Sequence, residues 1–192
     1  MNMKSLIIYS SITGNTKQVA EAIASAIPGS DLLSVNDNNL FEIITDKKYS
    51  LFIIGFFVDK GKPDEKVICL LRKLKEMITE NENNLIKKQD KIKIAFFSTL
   101  GGDPQSDAAK KCMKFAEQLV SESFVISPSL IVRGKISPAL LQLMHKNNPT
   151  LLQNKKHLEN IEKAKTHPDI NDLKDASIWA RTIYENLSKN NQ

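Results

Sequence analysis

Cysteine and tryptophan are scarce in this chain, with two of the first and one of the second among 192 residues. Two thiols, Cys69 and Cys112, are too few for a disulfide framework, and nothing in the sequence points to an oxidising compartment. Cys112 lies on the apolar stripe of its helix and Cys69 beside Ile68 and Leu70, and both are expected in the core. No apolar run approaches the roughly 20 residues a helix needs to cross a bilayer. Lys4 is not followed by an apolar segment with a small-residue cleavage site. The expectation is a cytoplasmic protein with no membrane partner. His145, His157 and His167 lack the spacing of a metal site and have no neighbouring cysteines, so no metal is expected. Neither a Ser-His-Asp pattern nor a pair of carboxylates suggests a catalytic residue. Lysine, by contrast, is plentiful: 27 Lys and Arg against 22 Asp and Glu give a formal net charge of +5. The cations are spread along the chain, and the densest cluster, Lys87 to Lys93, lacks interleaved aromatics. That is the pattern of a solvated surface and argues against a nucleic-acid partner.

Five apolar runs have strand length: "SLIIYS" at 5–10, "DLLSV" at 31–35, "SLFIIG" at 50–55, "IKIAFFS" at 92–98 and "FVISPSLIV" at 124–132. Several are apolar throughout, as strands covered on both faces are. Helical stripes separate them. Val19, Ala20, Ile23 and Ile27 mark a helix over 16–27, and "NLFEIIT" a shorter one over 39–45. Val67, Leu70, Leu71, Leu74 and Ile78 mark 64–79; Ala109, Cys112, Ala116 and Leu119 mark 107–120. A last helix over 171–188 carries Leu173, Ala176, Ala180, Ile183 and Leu187. Strict alternation of strand and helix predicts an α/β domain, a doubly wound parallel sheet with helices on both faces. Residues 1–192 read as one domain. The alternation breaks once, at 134–170, a helical insertion between the fifth strand and the last helix. There Ser137 and Pro138 form a helix start signal, and Leu151, Leu158 and Ile161 keep a weak stripe.

The first strand-to-helix turn, within "IIYSSITGNTKQVAEAI" at 7–23, is the most informative stretch. In open parallel sheets ligands bind beyond the carboxyl ends of the strands, and helix N-termini there hold anions. A Walker A loop needs G-x-x-x-x-G-K-[ST], and a dinucleotide fingerprint needs G-x-G-x-x-G; only Gly14 is present, and no lysine. What remains is a phosphate site built of uncharged donors. The hydroxyls of Ser11, Thr13 and Thr16, the Asn15 amide, and the backbone of the turn, Ile12 and Gly14 included, are its candidates.

This stretch resembles the FMN phosphate loop of flavodoxins: two apolar residues, an aromatic, any residue, Ser or Thr, two residues, Gly, any, Thr, three residues, Ala, two residues, aliphatic. Every specified position is filled, ending at Ala20 and Ile23. The resemblance runs in order over residues 4–133 and resumes in the last helix. It implies a flavodoxin-like five-stranded parallel sheet in the order 2-1-3-4-5 and non-covalent FMN. It also implies two further cofactor loops. In "GFFVDKGKPDEK" at 55–66, residues Phe56, Phe57, Val58, Asp59, Lys60 and Gly61 are the candidates. Either phenylalanine would cover one face of the flavin ring, and Gly61 would offer the peptide that meets N5. In "STLGGDPQSD" at 98–107, Thr99, Leu100, Gly101, Gly102 and Asp103 would hold the pyrimidine edge, with Ser106 or Asp107 capping the next helix. Many flavodoxins carry a tyrosine in this last loop, and this chain has none there. That leaves the outer ring face bare or covered by the insertion.

The loop wording "FFVDKGKPDEK", "STLGGDPQSDAAKKCM" and "GKISP…THPD…DL" is similar to the flavodoxin-like proteins that accompany bacterial bilirubin reductase. The resemblance implies a redox protein that passes electrons from FMN to a partner protein, a tetrapyrrole reductase system among the candidates. The alternative is a stand-alone flavin-dependent oxidoreductase, such as a quinone reductase or protoporphyrinogen dehydrogenase. More distant is a binding module that has kept the fold without the flavin. Monomer and homodimer are both compatible with the sequence.

Overall fold

A computed structural model describes residues 3–82 and 92–189. The apolar runs form strands and the striped segments helices, in the order β1 (Ser5–Tyr9), α1 (Asn15–Ala26), β2 (Asp31–Ser34), α2 (Leu40–Lys47) and β3 (Leu51–Asp59). There follow β4 (Lys62–Pro63), α3 (Glu65–Glu82), β5 (Lys93–Leu100), α4 (Asp107–Val120), β6 (Val125–Ile126) and β7 (Leu130–Arg133). The chain continues through α5 (Pro138–Asn147), a 3-10 turn (Pro149–Gln153), α6 (Lys155–Ala164) and α7 (Ile170–Lys189). The lysine cluster that begins at Lys87 lies outside the described residues as far as position 91.

The sheet runs β2-β1-β3-β5-β6, with β7 also on β5, and every one of these pairs is parallel. This is the expected order 2-1-3-4-5, with the fifth strand broken in two. β6 pairs Lys93 and Ile94, β7 pairs Phe97 to Leu100, and Ser127-Pro128-Ser129 lies between them. Pro128 has no N–H for the ladder, and its carbonyl instead accepts from Trp179 Nε1 at 3.0 Å. Trp179, which flanks the apolar stripe of α7, is thereby fixed as packing against the second core.

Alternation along the strands fills two cores. Leu6, Ile8, Ile54, Phe56 and Phe96 face α2, α3 and α4; Ile7, Ile53, Ala95 and Phe97 face α1 and α7. Gly55 is required by this packing. A Cβ built on it would come within 2.0–2.5 Å of three carbons of the Phe97 ring, so the ring occupies the space a side chain would need. Cys112 is buried as expected, and burial pushes its thiol up to about 12. Cys69 is not in the core. It stands on the exposed side of α3, where the stripe of Val67, Leu70, Leu71 and Leu74 turns away from it. Its neighbours in sequence were apolar, but helical phase puts them on the other side.

Two results are expected from this packing. Gly55→Ala should destabilise the fold by about 1–3 kcal/mol, the usual cost of overpacking, measured by denaturant unfolding. A thiol reagent should modify Cys69 in the native protein and Cys112 only on unfolding, which mass spectrometry of digested protein would report.

Candidate functional site

The carboxyl ends of β1, β3 and β5 lie side by side where the strand order reverses, and three loops leave them. The first joins β1 to α1. Gly14 is the N-cap of α1 with φ 91°, a left-handed conformation suited to glycine. Having no side chain, it cannot cap the helix. The first helical bond comes from Gln18 N–H to the Gly14 carbonyl at 3.0 Å, so the N–H groups of Asn15, Thr16 and Lys17 have no helical acceptor. By contrast α4, α5 and α6 are capped by the side chains of Ser106, Ser137 and Asn154.

The side chains around this end divide into two sets. The half-buried Ser11 and exposed Thr13 each accept a hydrogen bond from inside the loop. Gly14 N–H donates to Ser11 Oγ at 3.1 Å, and Asn15 Nδ2 donates to Thr13 Oγ1 at 3.2 Å. Their own hydroxyl protons remain free to point outward. Thr16 and Asn15 are committed elsewhere. Thr16 is buried, with its hydroxyl 2.8 Å from that of Thr99 at the end of β5. Asn15 spends its second amide proton on the Lys135 carbonyl, at 2.8 Å. Two of the four side chains expected at the phosphate therefore brace the loop here, and their backbone N–H groups remain as donors. Ile12 is 80% exposed at its tip.

The second loop is a hairpin, which the sequence reading did not foresee. β4 returns antiparallel on β3, with Asp59 opposite Lys62. Lys60 and Gly61 make the turn with φ 48° and 78°, the pair of positive angles that a type I′ turn needs. Gly61 followed by a short return is the signal that was available. Phe56 is fully buried in the core facing α3 and cannot cover a ligand ring; its neighbour Phe57 is half-buried at the rim. Val58 packs on the same core as Phe56, while Asp59, Lys60 and Gly61 are exposed at the hairpin end.

The third loop carries Leu100, Gly101, Gly102 and Asp103, all half-buried. It is shaped by the start of the insertion. Gly134 N–H bonds the Leu100 carbonyl at 2.8 Å, and the Ile136 side chain lies where a Cβ on Gly101 would sit. Gly134 is equally constrained, because a Cβ there would meet the Asn15 side chain at 2.9 Å. Asp103 turns inward, accepting from Gln105 N–H at 3.0 Å. Arg133 stands 4.0 Å from it, but with Asp103 41% exposed the pair is worth well under about 1 kcal/mol. The backbone bonds therefore set this loop. Gly134 and Ile136 were missed from sequence because they lie in a connection with no periodic signature, and Arg133 because it ends the fifth strand just beyond its apolar run.

Asp64 was also missed. It is buried at the start of α3, and Oδ1 accepts from the Ser10 hydroxyl at 2.9 Å. Oδ2 is buried without a partner. Burial raises the pKa of its carboxyl, against the pull of the Ser10 hydroxyl and of backbone N–H groups.

The histidines lie outside the three loops. His145 and His157 face one another across α5 and α6 with Nε2 atoms 3.1 Å apart. His167 is bonded to Asp172, while the Asp169 carboxylate receives the N–H groups of Asn171 and Asp172 at the start of α7. With Asp169, these two form a cluster of possible ligand atoms, but every acidic member is engaged in starting the helix.

A family model described as "Flavodoxin domain" matches residues 6–181. The chain is 31% identical over 186 residues to the flavodoxin-like domain-containing protein BilS of Clostridioides difficile (strain CD3), covering 94% of this chain and 96% of that one. Among solved structures, a flavodoxin, WrbA-like protein from Agrobacterium tumefaciens superposes with a TM-score of 0.63 at 10% identity, covering 99% of both chains. Oxidised flavodoxin 2 from Bacillus cereus superposes with a TM-score of 0.56 at 16% identity, covering 95% of this chain and 99% of that one. No helix among the described residues is long and apolar enough to cross a membrane. The rim of uncapped helix and shaped loops thus sits on a known scaffold, and the chain belongs to the flavodoxin domain family.

Proposed function

We propose that this protein binds FMN at the rim formed by the three loops and passes electrons to a partner protein. The observation that carries the reading is the uncapped end of α1, where the Ser11 and Thr13 hydroxyls accept bonds from within the loop and keep their own protons to donate. That donor set suits a terminal phosphate. It has several N–H and O–H donors and the favourable end of a helix dipole, and Lys17, the one cation of the loop and first turn, is ion-paired with Glu21 at 3.8 Å. The close approach of Gly134 to Asn15 and of Gly101 to Ile136 keeps the rim compact, with Phe57 at its wall. FMN when bound supplies the electron chemistry, and the chain supplies binding and orientation. Ser11, Thr13 and the N–H groups of residues 15–17 bind the phosphate. Phe57, Gly101 and Gly102 border the ring, and the hairpin at Lys60 and Gly61 limits water on its side.

The insertion provides the surface for the partner. Leu140, Leu143 and Leu152 are 48%, 53% and 54% exposed on α5 and the following turn, while Leu141 and Met144 are half-buried. The root of the insertion touches both Asn15 and Gly101, so this apolar surface adjoins the rim. Loop resemblance and the 31% match to protein BilS favour a tetrapyrrole-reducing enzyme as the partner class.

Ser11→Ala and Thr13→Ala should each weaken FMN binding by about 1–3 kcal/mol, the worth of a hydrogen bond to a charged group, and leave riboflavin binding nearly unchanged. Flavin fluorescence quenching would measure both, and unchanged FMN affinity in both variants would place the phosphate elsewhere. Leu140→Glu with Leu143→Glu should leave FMN binding intact and slow electron delivery to the partner at least severalfold in stopped-flow mixing. Unimpaired delivery would remove the docking role from α5.

A further inference from the structure

We propose that Asp64 is a buried proton acceptor that couples the negative charge held at the rim to the pH of the solution. This rests on the FMN reading. Three observations place Asp64 in that role. Its Oδ1 is bound by Ser10, whose next residue, Ser11, begins the phosphate loop. One hydrogen bond and one peptide therefore separate the carboxyl from the loop, on the order of 10 Å from an anion there, with consecutive Cα atoms about 3.8 Å apart. The residue is 4% exposed and Oδ2 has no hydrogen-bond partner, so an ionised carboxylate is incompletely satisfied in a site with little contact to solvent. Finally, among the described residues no salt bridge reaches it. The charged side chains on the elements around it include Asp59, Lys60 and Lys62 of the hairpin, Glu65 and Lys66 of α3, Asp37 of the β2–α2 turn, and Lys110, Lys111 and Lys114 of α4, which packs against β4. Lys66 is engaged by Asn36 at 2.5 Å and Lys62 lies 5.4 Å from the Phe115 ring centroid. β1 contributes no charge.

The step is simple. When phosphate or an added electron brings negative charge to the rim, the carboxylate takes one proton from solvent and becomes the neutral acid. An O–H bond forms, no electron passes through Asp64, and the charge added nearby is partly offset. Like charges raise a carboxyl's proton affinity, and burial has already raised that of Asp64 above its ordinary 3.8. The coupling is reciprocal: a protonated Asp64 favours the anion and the reduced cofactor.

The sign for stability follows from the same shift. A carboxyl whose folded pKa is raised contributes its full stability below 3.8 and loses it as pH rises through the folded value. The full-length wild type, Asp64→Asn and Ser10→Ala are compared with and without FMN. Without FMN, the thermal midpoint of the wild type should fall as pH rises through the Asp64 range, and that of Asp64→Asn should not. With FMN, the midpoint potential should fall with pH more steeply in the wild type than in Asp64→Asn over that range. Ser10→Ala, lacking a bond that favours the carboxylate, should move the range to higher pH. Equal pH slopes in two FMN-loaded proteins would overturn the proposal, as would a Ser10→Ala profile that does not move. Should Asp64→Asn fail to fold, the Ser10→Ala shift decides. If none of the proteins holds FMN, the function reading falls and the coupling with it. The FMN-free midpoints would then still show whether Asp64 titrates, so the two failures are distinguishable.

Discussion

The N-terminus of α1 is a set of backbone donors that the protein itself leaves without acceptors, and the surrounding structure is arranged to keep it so. A serine or threonine at position 14 would cap the helix and occupy a donor, and the φ of 91° there would strain it. With glycine, the end is open. Keeping it open and fixed at once requires bracing from outside the helix, which comes from three directions. Thr99 on β5 holds Thr16 from below, the Lys135 carbonyl holds Asn15 from the side, and Ser11 takes the N–H of Gly14 within the loop. Two of the three braces come from residues more than 80 positions away, with separations of 83 and 120. The loop's shape is thus a property of the whole sheet rather than of its local sequence.

That dependence explains which parts of the molecule were legible in the sequence. Strands covered on both faces announce themselves as unbroken apolar runs, and a helix on a sheet by its stripe. The five runs and the alternation were therefore enough for a parallel sheet, its order was implied by the resemblance to flavodoxins, and the break at Ser127-Pro128-Ser129 altered only the continuity of the last strand. The phosphate-loop stretch was legible as a turn rich in donors. Which donors face outward was not, because Thr16 and Asn15 have the same chemistry as Thr13 and Ser11 and differ only in their partners across the fold. The two phenylalanines of β3 were separable in principle: period 2 puts Phe56 with Ile54 and Phe57 with Gly55. Ile54 alone does not say which face is buried to the rim. Cys69 was misplaced for the same kind of reason, since apolar neighbours in sequence are not neighbours on a helix.

Glycine usage sharpens the picture. Gly55 gives up its side chain to the Phe97 ring, Gly101 to Ile136 and Gly134 to Asn15. None of these needs a left-handed backbone, and all three permit close approach. Gly55 allows a large aromatic to fill the core under β3. The other two let the insertion root press against the first and third loops. The insertion therefore forms part of the rim where it begins, whatever its exposed helices do further out. Its far end is tied back as well: Lys135 N–H bonds the His167 carbonyl at 2.8 Å, so the entry and exit of the segment are clasped together.

A clasped root has a mechanical consequence. α5 and α6 contribute one fully buried side chain between them, Ala164, and otherwise rest on half-buried contacts such as Leu141 and Ile161. Burying a large aliphatic side chain is worth about 1.5–3 kcal/mol, and neither helix contributes one to the two main cores. The segment is tied to the sheet side by the clasp at Lys135 and His167 and by Arg133, which donates to Asn160 Oδ1 on α6 at 3.4 Å, while Ser137 and Asn154 cap α5 and α6 themselves. The sheet, by contrast, is fixed by Phe56, Phe96 and Phe97, all fully buried. A rigid rim and a lightly packed flank suit the proposed function, in which one small molecule is oriented and a larger partner is met. Orientation needs fixed donors, whereas a surface that accommodates a partner gains from side chains not yet committed to a core.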